Sequence, residues 1–169
     1  SGRVSEAIGA LREAVRLTPD DATVRFNLGT FYGKAGRSAE AIEAYREAVR
    51  LRPDFAAAWN NLGIAYRNVG RMPEAITAFR KAAELRSGDP AAWYNLGILS
   101  ITAGDVDGAI DALREAARLG PDHAASWYQL GLAYARQGRR QEALEALQTL
   151  RLLDAGMAQD LQRRIGRGP

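Results

Sequence analysis

Apolar residues in this chain fall into two alternating stripes of helical period. Between Ala56 and Val69 the run Trp59, Leu62, Gly63, Tyr66 advances by steps of 3, 1 and 3, which at about 100° per residue puts all four on one side of a helix. Gly70 follows, in the place of a left-handed C-terminal cap. A second stripe, Ala75, Ile76, Phe79, Ala82 and Ala83, predicts a helix from about Met72 to Leu85, with Pro73 at its first position and Glu74 in the turn that favours negative charge. Small side chains at Gly63 and Ala75 predict that the two helices run antiparallel and in close contact, with Trp59 and Phe79 filling the volume around them.

This pattern recurs with a period of 34 residues: Trp59, Trp93, Trp127; Gly29, Gly63, Gly97, Gly131; Gly36, Gly70, Gly104, Gly138; Ala7, Ala41, Ala75, Ala109, Ala143. Pro19, Pro53 and Pro121 keep the same step, with Ser87 where a fourth proline would fall. Burying one large side chain is worth roughly 1.5–3 kcal/mol, too little for a single helical hairpin to offset its ordering entropy. Stacked neighbours supply the remaining burial, so the repeated Trp, Leu and Gly are scaffold residues.

The pattern W-x2-L-G-x2-Y followed by Gly, Ala, an aromatic or Leu, Ala and Pro resembles the tetratricopeptide repeat over nearly the whole chain. The resemblance implies an all-α, right-handed superhelical solenoid of antiparallel helix pairs, about ten helices in one array. Residues 1–21 read as the second helix of a truncated repeat, 22–55, 56–89, 90–123 and 124–157 as four full repeats, and 158–169 as a closing helix and tail, its helical part near Met157 to Ile165. On this reading the chain starts inside a motif of a longer array. Arg25 replaces the first Trp, Ser100 a Tyr and Leu150 an Ala; at the missing proline, Asp89 is expected to cap the helix that Pro90 opens.

Composition adds exclusions. The chain has 169 residues, 47% hydrophobic and 25% charged, and no apolar run of membrane-spanning length. With no cysteine and one histidine, disulfides, thiolate zinc and a cysteine nucleophile are excluded, and neither a metal nor a cofactor is expected. His123 lies one turn before Ser126, but in the loop between repeats, where the equivalents are Asp21, Phe55 and Asp89, so no catalytic residue is assigned. Gly29 to Lys34 only faintly resembles a phosphate loop: it is one residue short, carries Ala35 where Ser or Thr belongs, and reads as a helix end. Asp105 to Gly108 lacks calcium-loop spacing and reads as a helix start. Arg12, Arg46, Arg80 and Arg114 recur, but beside Glu13, Glu43, Glu47 and Glu115, so nucleic acid is not the expected partner.

Opposite the packing stripe, each first helix displays a second surface, which in arrays of this family lines a concave groove that binds peptides. One strip holds Asn27, Asn61, Asn95 and Gln129, flanked by Lys34 and Arg136. The other holds Asn60, Tyr94 and Tyr128, then Ile64, Ile98 and Leu132, with Arg67; Phe26 and Thr30 are their counterparts in the first full repeat. Carboxamides both donate and accept, so such a row can pair with an extended backbone whatever its sequence, while the apolar strip selects side chains. The row is similar to that of the substrate-recruiting array of the O-linked N-acetylglucosamine transferase. The alternative for the apolar strip is burial between successive first helices. The carboxylate clamp of some family members needs Lys and Asn at two places where this chain has Phe26/Thr30, Asn60/Ile64, Tyr94/Ile98 and Tyr128/Leu132, so chaperone tails are not expected to bind. The expectation is a non-catalytic protein-binding module taking a protein or peptide segment without membrane insertion. The alternatives are a substrate-recruiting array of a larger enzyme such as a glycosyltransferase, and a self-associating scaffold.

Overall fold

The computed structural model describes residues 2–86 and 88–167. Those residues form ten helices and no strand. The chain divides into two compact units, residues 1–86 and 87–169.

The first unit holds α1 (Gly2–Leu17), α2 (Ala22–Lys34), α3 (Ser38–Leu51), α4 (Ala56–Asn68) and α5 (Met72–Leu85). The second holds α6 (Pro90–Thr102), α7 (Val106–Leu119), α8 (Ala124–Arg136), α9 (Arg140–Leu153) and α10 (Ala155–Arg167). In each unit the tightest neighbours are the two helices of a hairpin, α2 with α3, α4 with α5, α6 with α7 and α8 with α9.

The hairpins turn where the glycines require it. Gly36, Gly70, Gly104 and Gly138 have φ of 72°, 77°, 81° and 70°, a left-handed conformation that the other described residues avoid. The next residue then donates its N–H back across the turn, Arg37 to Tyr32 O, Arg71 to Tyr66 O, Asp105 to Ser100 O and Arg139 to Tyr134 O, each at 2.9 Å. Asp89 accepts from the Ala91 N–H at 3.0 Å and Pro90 begins α6, as the missing proline suggested; Ser87 itself lies outside the described residues. Met72 opens α5 one residue before the expected Pro73. Gly29–Lys34 is the end of α2, and Asp105 caps α7 through the Gly108 N–H at 2.9 Å.

Close approach follows the predicted glycines. A Cβ placed on Gly63 would sit 2.9 Å from ring carbons of Phe79, and one on Gly29 2.8 Å from Tyr45. The tryptophans are only half buried. The indole N–H groups of two of them donate to the proline carbonyl six residues earlier, Trp59 to Pro53 O at 2.8 Å and Trp127 to Pro121 O at 2.9 Å. Arg25, in the place of the first tryptophan, donates to Pro19 O at 3.2 and 3.3 Å, so the proline landmark serves as an acceptor as well as a turn.

Three turns carry a further clamp. Arg37, Arg71 and Arg139 lie 4.7 Å over the rings of Tyr32, Tyr66 and Tyr134 and pair with Glu40, Glu74 and Glu142 three residues on. The remaining repeat has Ser100 and Asp105 at those places, so the ring and its cation are lost together. Ion pairs elsewhere along the helices, from Arg16 with Glu13 to Arg164 with Asp160, likewise join residues three or four apart.

The closing helix begins at Ala155, earlier than the repeat phase predicts, because extended Asp154 accepts from the Met157 N–H at 2.8 Å and starts a new helix after a single linking residue. That brings α10 onto both α8 and α9, with Leu161 fully buried in the notch over Gly131.

Candidate functional site

The first helices carry no Asp or Glu at all; their charged residues are Arg25, Lys34, Arg67 and Arg136. The expected binding residues on these helices differ in what they touch.

In the first unit Asn27 is exposed and Asn61 half buried. Asn60 Nδ2 donates to Asn61 Oδ1, and Asn61 Nδ2 donates to the Tyr45 hydroxyl, both at 3.5 Å, the long end of hydrogen bonding. The Tyr45 hydroxyl donates to Thr30 Oγ1 at 3.2 Å, so a polar thread runs from α4 to α2 by way of α3. Phe26 packs on Tyr45 and Phe55 with ring centroids 5.9 and 4.9 Å away, which commits it to the hairpin and the following loop. Ile64 is half buried and Arg67 exposed; the Lys34 ammonium lies 5.0 Å over Phe31.

In the second unit Asn95 is exposed, Gln129 and Ile98 half buried and Arg136 exposed. Tyr94 meets the His123 ring edge-on at 5.1 Å and packs against the hydrophobic core with Tyr128 and Leu132. The Tyr128 hydroxyl donates to Asp160 Oδ2 of α10 at 2.6 Å, and the same carboxylate accepts from Arg164 Nε at 2.6 Å. Sequence reasoning missed this contact; the available signal was the loss of the repeat phase after Asp154, which places an aspartate on a helix free to lean inward.

The contact is a pH-sensitive one. The Tyr128 hydroxyl, then Arg164, hold the Asp160 carboxyl below the usual aspartate range, while burial, then the Asp160 hydrogen bond, push the Tyr128 phenol up. A carboxyl whose folded value is depressed stabilises the fold above its ordinary range, and that contribution is lost as pH falls through the lowered value. Tyr128→Phe is therefore expected to destabilise the protein at neutral pH, and the difference from wild type is expected to shrink in acid. Urea titrations at about pH 7 and about pH 3 check this.

His123 Nδ1 and Ser126 Oγ are 2.7 Å apart, but Ser126 is fully buried, so its hydroxyl is out of reach of a substrate. Among the described residues no group of three His, Asp or Glu side chains is arranged to hold a metal ion, and no helix is long and apolar enough to cross a membrane.

Hairpins closed by left-handed glycines, with the glycine of each first helix against a large side chain of a neighbouring helix, define an all-α solenoid of the tetratricopeptide type. The chain belongs to that repeat family: the family model for the Cilia and flagella-associated protein 70 C-terminal domain matches residues 21–159, and a TPR repeat model matches residues 1–36. Among solved structures the chain is similar to MamA, in one structure at 26% identity over 98% of this chain and 92% of that one with TM-score 0.69, and in another at 27% over 94% and 86% with TM-score 0.71. It shares its fold, at 20% identity over 94% and 92% and TM-score 0.67, with YrrB, described as a TPR protein with an unusual peptide-binding site. No curated protein matches the chain. The repeat type makes the chain a protein-interaction module.

Proposed function

We propose that the exposed face of the first helices binds an extended peptide or partner segment, without catalysis. The observation that carries this reading is the set of exposed or half-buried carboxamides on successive first helices, Asn27 and Asn61 in one unit and Asn95 and Gln129 in the other, beside Ile64 and Ile98. Neighbouring helices stack about 8–10 Å apart, and an extended chain advances about 3.3 Å per residue. Within each unit one carboxamide then meets about every third peptide residue. Asn60, Arg67 and Lys34 in the first unit and Arg136 in the second flank the carboxamides, and the absence of carboxylates from these helices favours a neutral or acidic segment over a basic one. Tyr94, Tyr128 and Leu132 contribute less than the sequence alone suggests, since all three pack against the core and Tyr128 is already bonded to α10.

The test is a peptide selected from a random display library on the immobilised protein, its affinity then measured against the Asn27→Ala, Asn61→Ala and Asn95→Ala variants. Each lost backbone hydrogen bond is expected to weaken binding by about 1 kcal/mol, close to fivefold, and a lost pair by about 2 kcal/mol, close to thirtyfold. Folded variants that bind with wild-type affinity would remove the carboxamide row from the site.

A further inference from the structure

The side of the first unit formed by its second helices carries a groove that peptide binding does not use. Helices α3 and α5 make no close backbone approach to each other and stand on either side of α4. Between them lies an open, mainly apolar cavity of about 500 Å³, within the range of small-molecule sites. Trp59 and Tyr66 lie on its floor, Arg46 and Arg50 on the α3 side, Glu74 and Thr77 on the α5 side.

A gap between helices is by itself only imperfect packing. Two observations take this one further. The rings are held in advance, Trp59 by its bond to Pro53 O and Tyr66 beneath the Arg71 guanidinium, so an occupant orders little on arrival. The charges are also unevenly committed. Glu74 is bound to Arg71 at 2.6 Å, whereas Arg46 and Arg50 pair only with Glu43 and Glu47, at 3.0 Å each, and neither of those glutamates lines the cavity. Exposed pairs of that kind contribute little and are readily exchanged.

We propose that this groove binds a small amphiphilic organic anion, its aromatic or branched apolar body lying on Trp59 and Tyr66 and its carboxylate or sulfonate between Arg46 and Arg50. The two arginines are four residues apart, so they rise from one edge of α3.

The chain contains its own control. The second unit repeats the groove 68 residues later, with Trp127, Tyr134 and Arg114 in place of Trp59, Tyr66 and Arg46, but Glu145 stands where Thr77 does and the cavity shrinks to about 180 Å³. Size and sign both exclude the same ligand there. Thr77→Glu therefore gives the first groove the carboxylate that the second carries, using a residue the fold already accepts at the equivalent place.

The experiment is calorimetric titration of the whole chain with 2-naphthoate, and with uncharged 2-naphthylmethanol for comparison. Wild type is expected to bind one equivalent of the acid, at least tenfold more tightly than the alcohol. Thr77→Glu should weaken the acid by tenfold or more, with an unchanged melting curve. The Arg46→Gln/Arg50→Gln pair should bring the acid down to the level of the alcohol. Thr77→Phe, which fills the groove without adding charge, should weaken both ligands. No saturable binding to wild type, equal affinity for acid and alcohol, or unaltered binding to Thr77→Glu would each overturn the assignment.

Discussion

Gly63→Leu is expected to lose cooperative melting or to shift it down by several degrees. The position is buried, and even the first carbon of a new side chain meets the Phe79 ring at 2.9 Å. Phe79 is set on α5 opposite the point where the two helices touch, so relief requires the hairpin to open, which takes apart the packing of both helices. Overpacking of this kind costs typically 1–3 kcal/mol, and four branched atoms against a ring belong at or beyond the upper end. Gly33→Ala makes the comparison sharp. It adds a methyl to α2 one turn beyond Gly29, the counterpart of Gly63, at an exposed position with nothing within 4 Å, and should stabilise the protein by about 0.5–1 kcal/mol. Thermal melts followed by circular dichroism read both. A Gly63→Leu protein that melts like wild type would refute the dependence of the hairpin on a bare backbone at that position.

Leu161→Ala is expected to cost about 2–5 kcal/mol, the range for emptying a fully buried leucine site. Its side chain fills the notch over Gly131, and the leucines that share its core cluster, Leu113, Leu130, Leu147 and Leu150, are themselves almost fully buried and have little room to collapse. The loss should concentrate in the second unit. Hydrogen exchange is expected to speed up in α8, α9 and α10 while α2 to α5 keep their protection, because the buried cluster that Leu161 joins is made of residues of the second unit. Uniform acceleration along the chain would contradict that division. Tyr128→Phe should produce a smaller effect at the same place, since it removes one hydrogen bond and no volume.

The fold was legible because its determinants are local and repeated. Gly70 ends a helix, Gly63 admits Phe79, and Asp89 replaces a missing proline; each rests on the backbone conformation or size of one residue and is read again a period away. The closing helix was harder to place. Its start depends on Asp154 adopting an extended backbone and capping three residues on, a choice with no periodic echo. The same period singles out Asn27 and Asn95, and both are exposed. What periodicity could not supply was the use of side chains across elements. Nothing in the order of residues says that Tyr45 reaches Thr30 and Asn61, that Asp160 returns to Tyr128, or that Phe26 is taken up by Phe55. Nor could it show the groove over Trp59, since tryptophan in a helical stripe reads as interior and here is half open.

The ion pairs, each confined to one or two turns of helix or to the turn that precedes it, bear on what couples one hairpin to the next. Attraction between opposite full charges shores up individual rods and corners, whereas adhesion between rods rests on shape, on the expulsion of water and on a few hydrogen bonds such as Asn61 to Tyr45 and Tyr128 to Asp160. Raising ionic strength screens the former and leaves the latter intact. Brine should therefore slacken helix ends before it parts one hairpin from its neighbour.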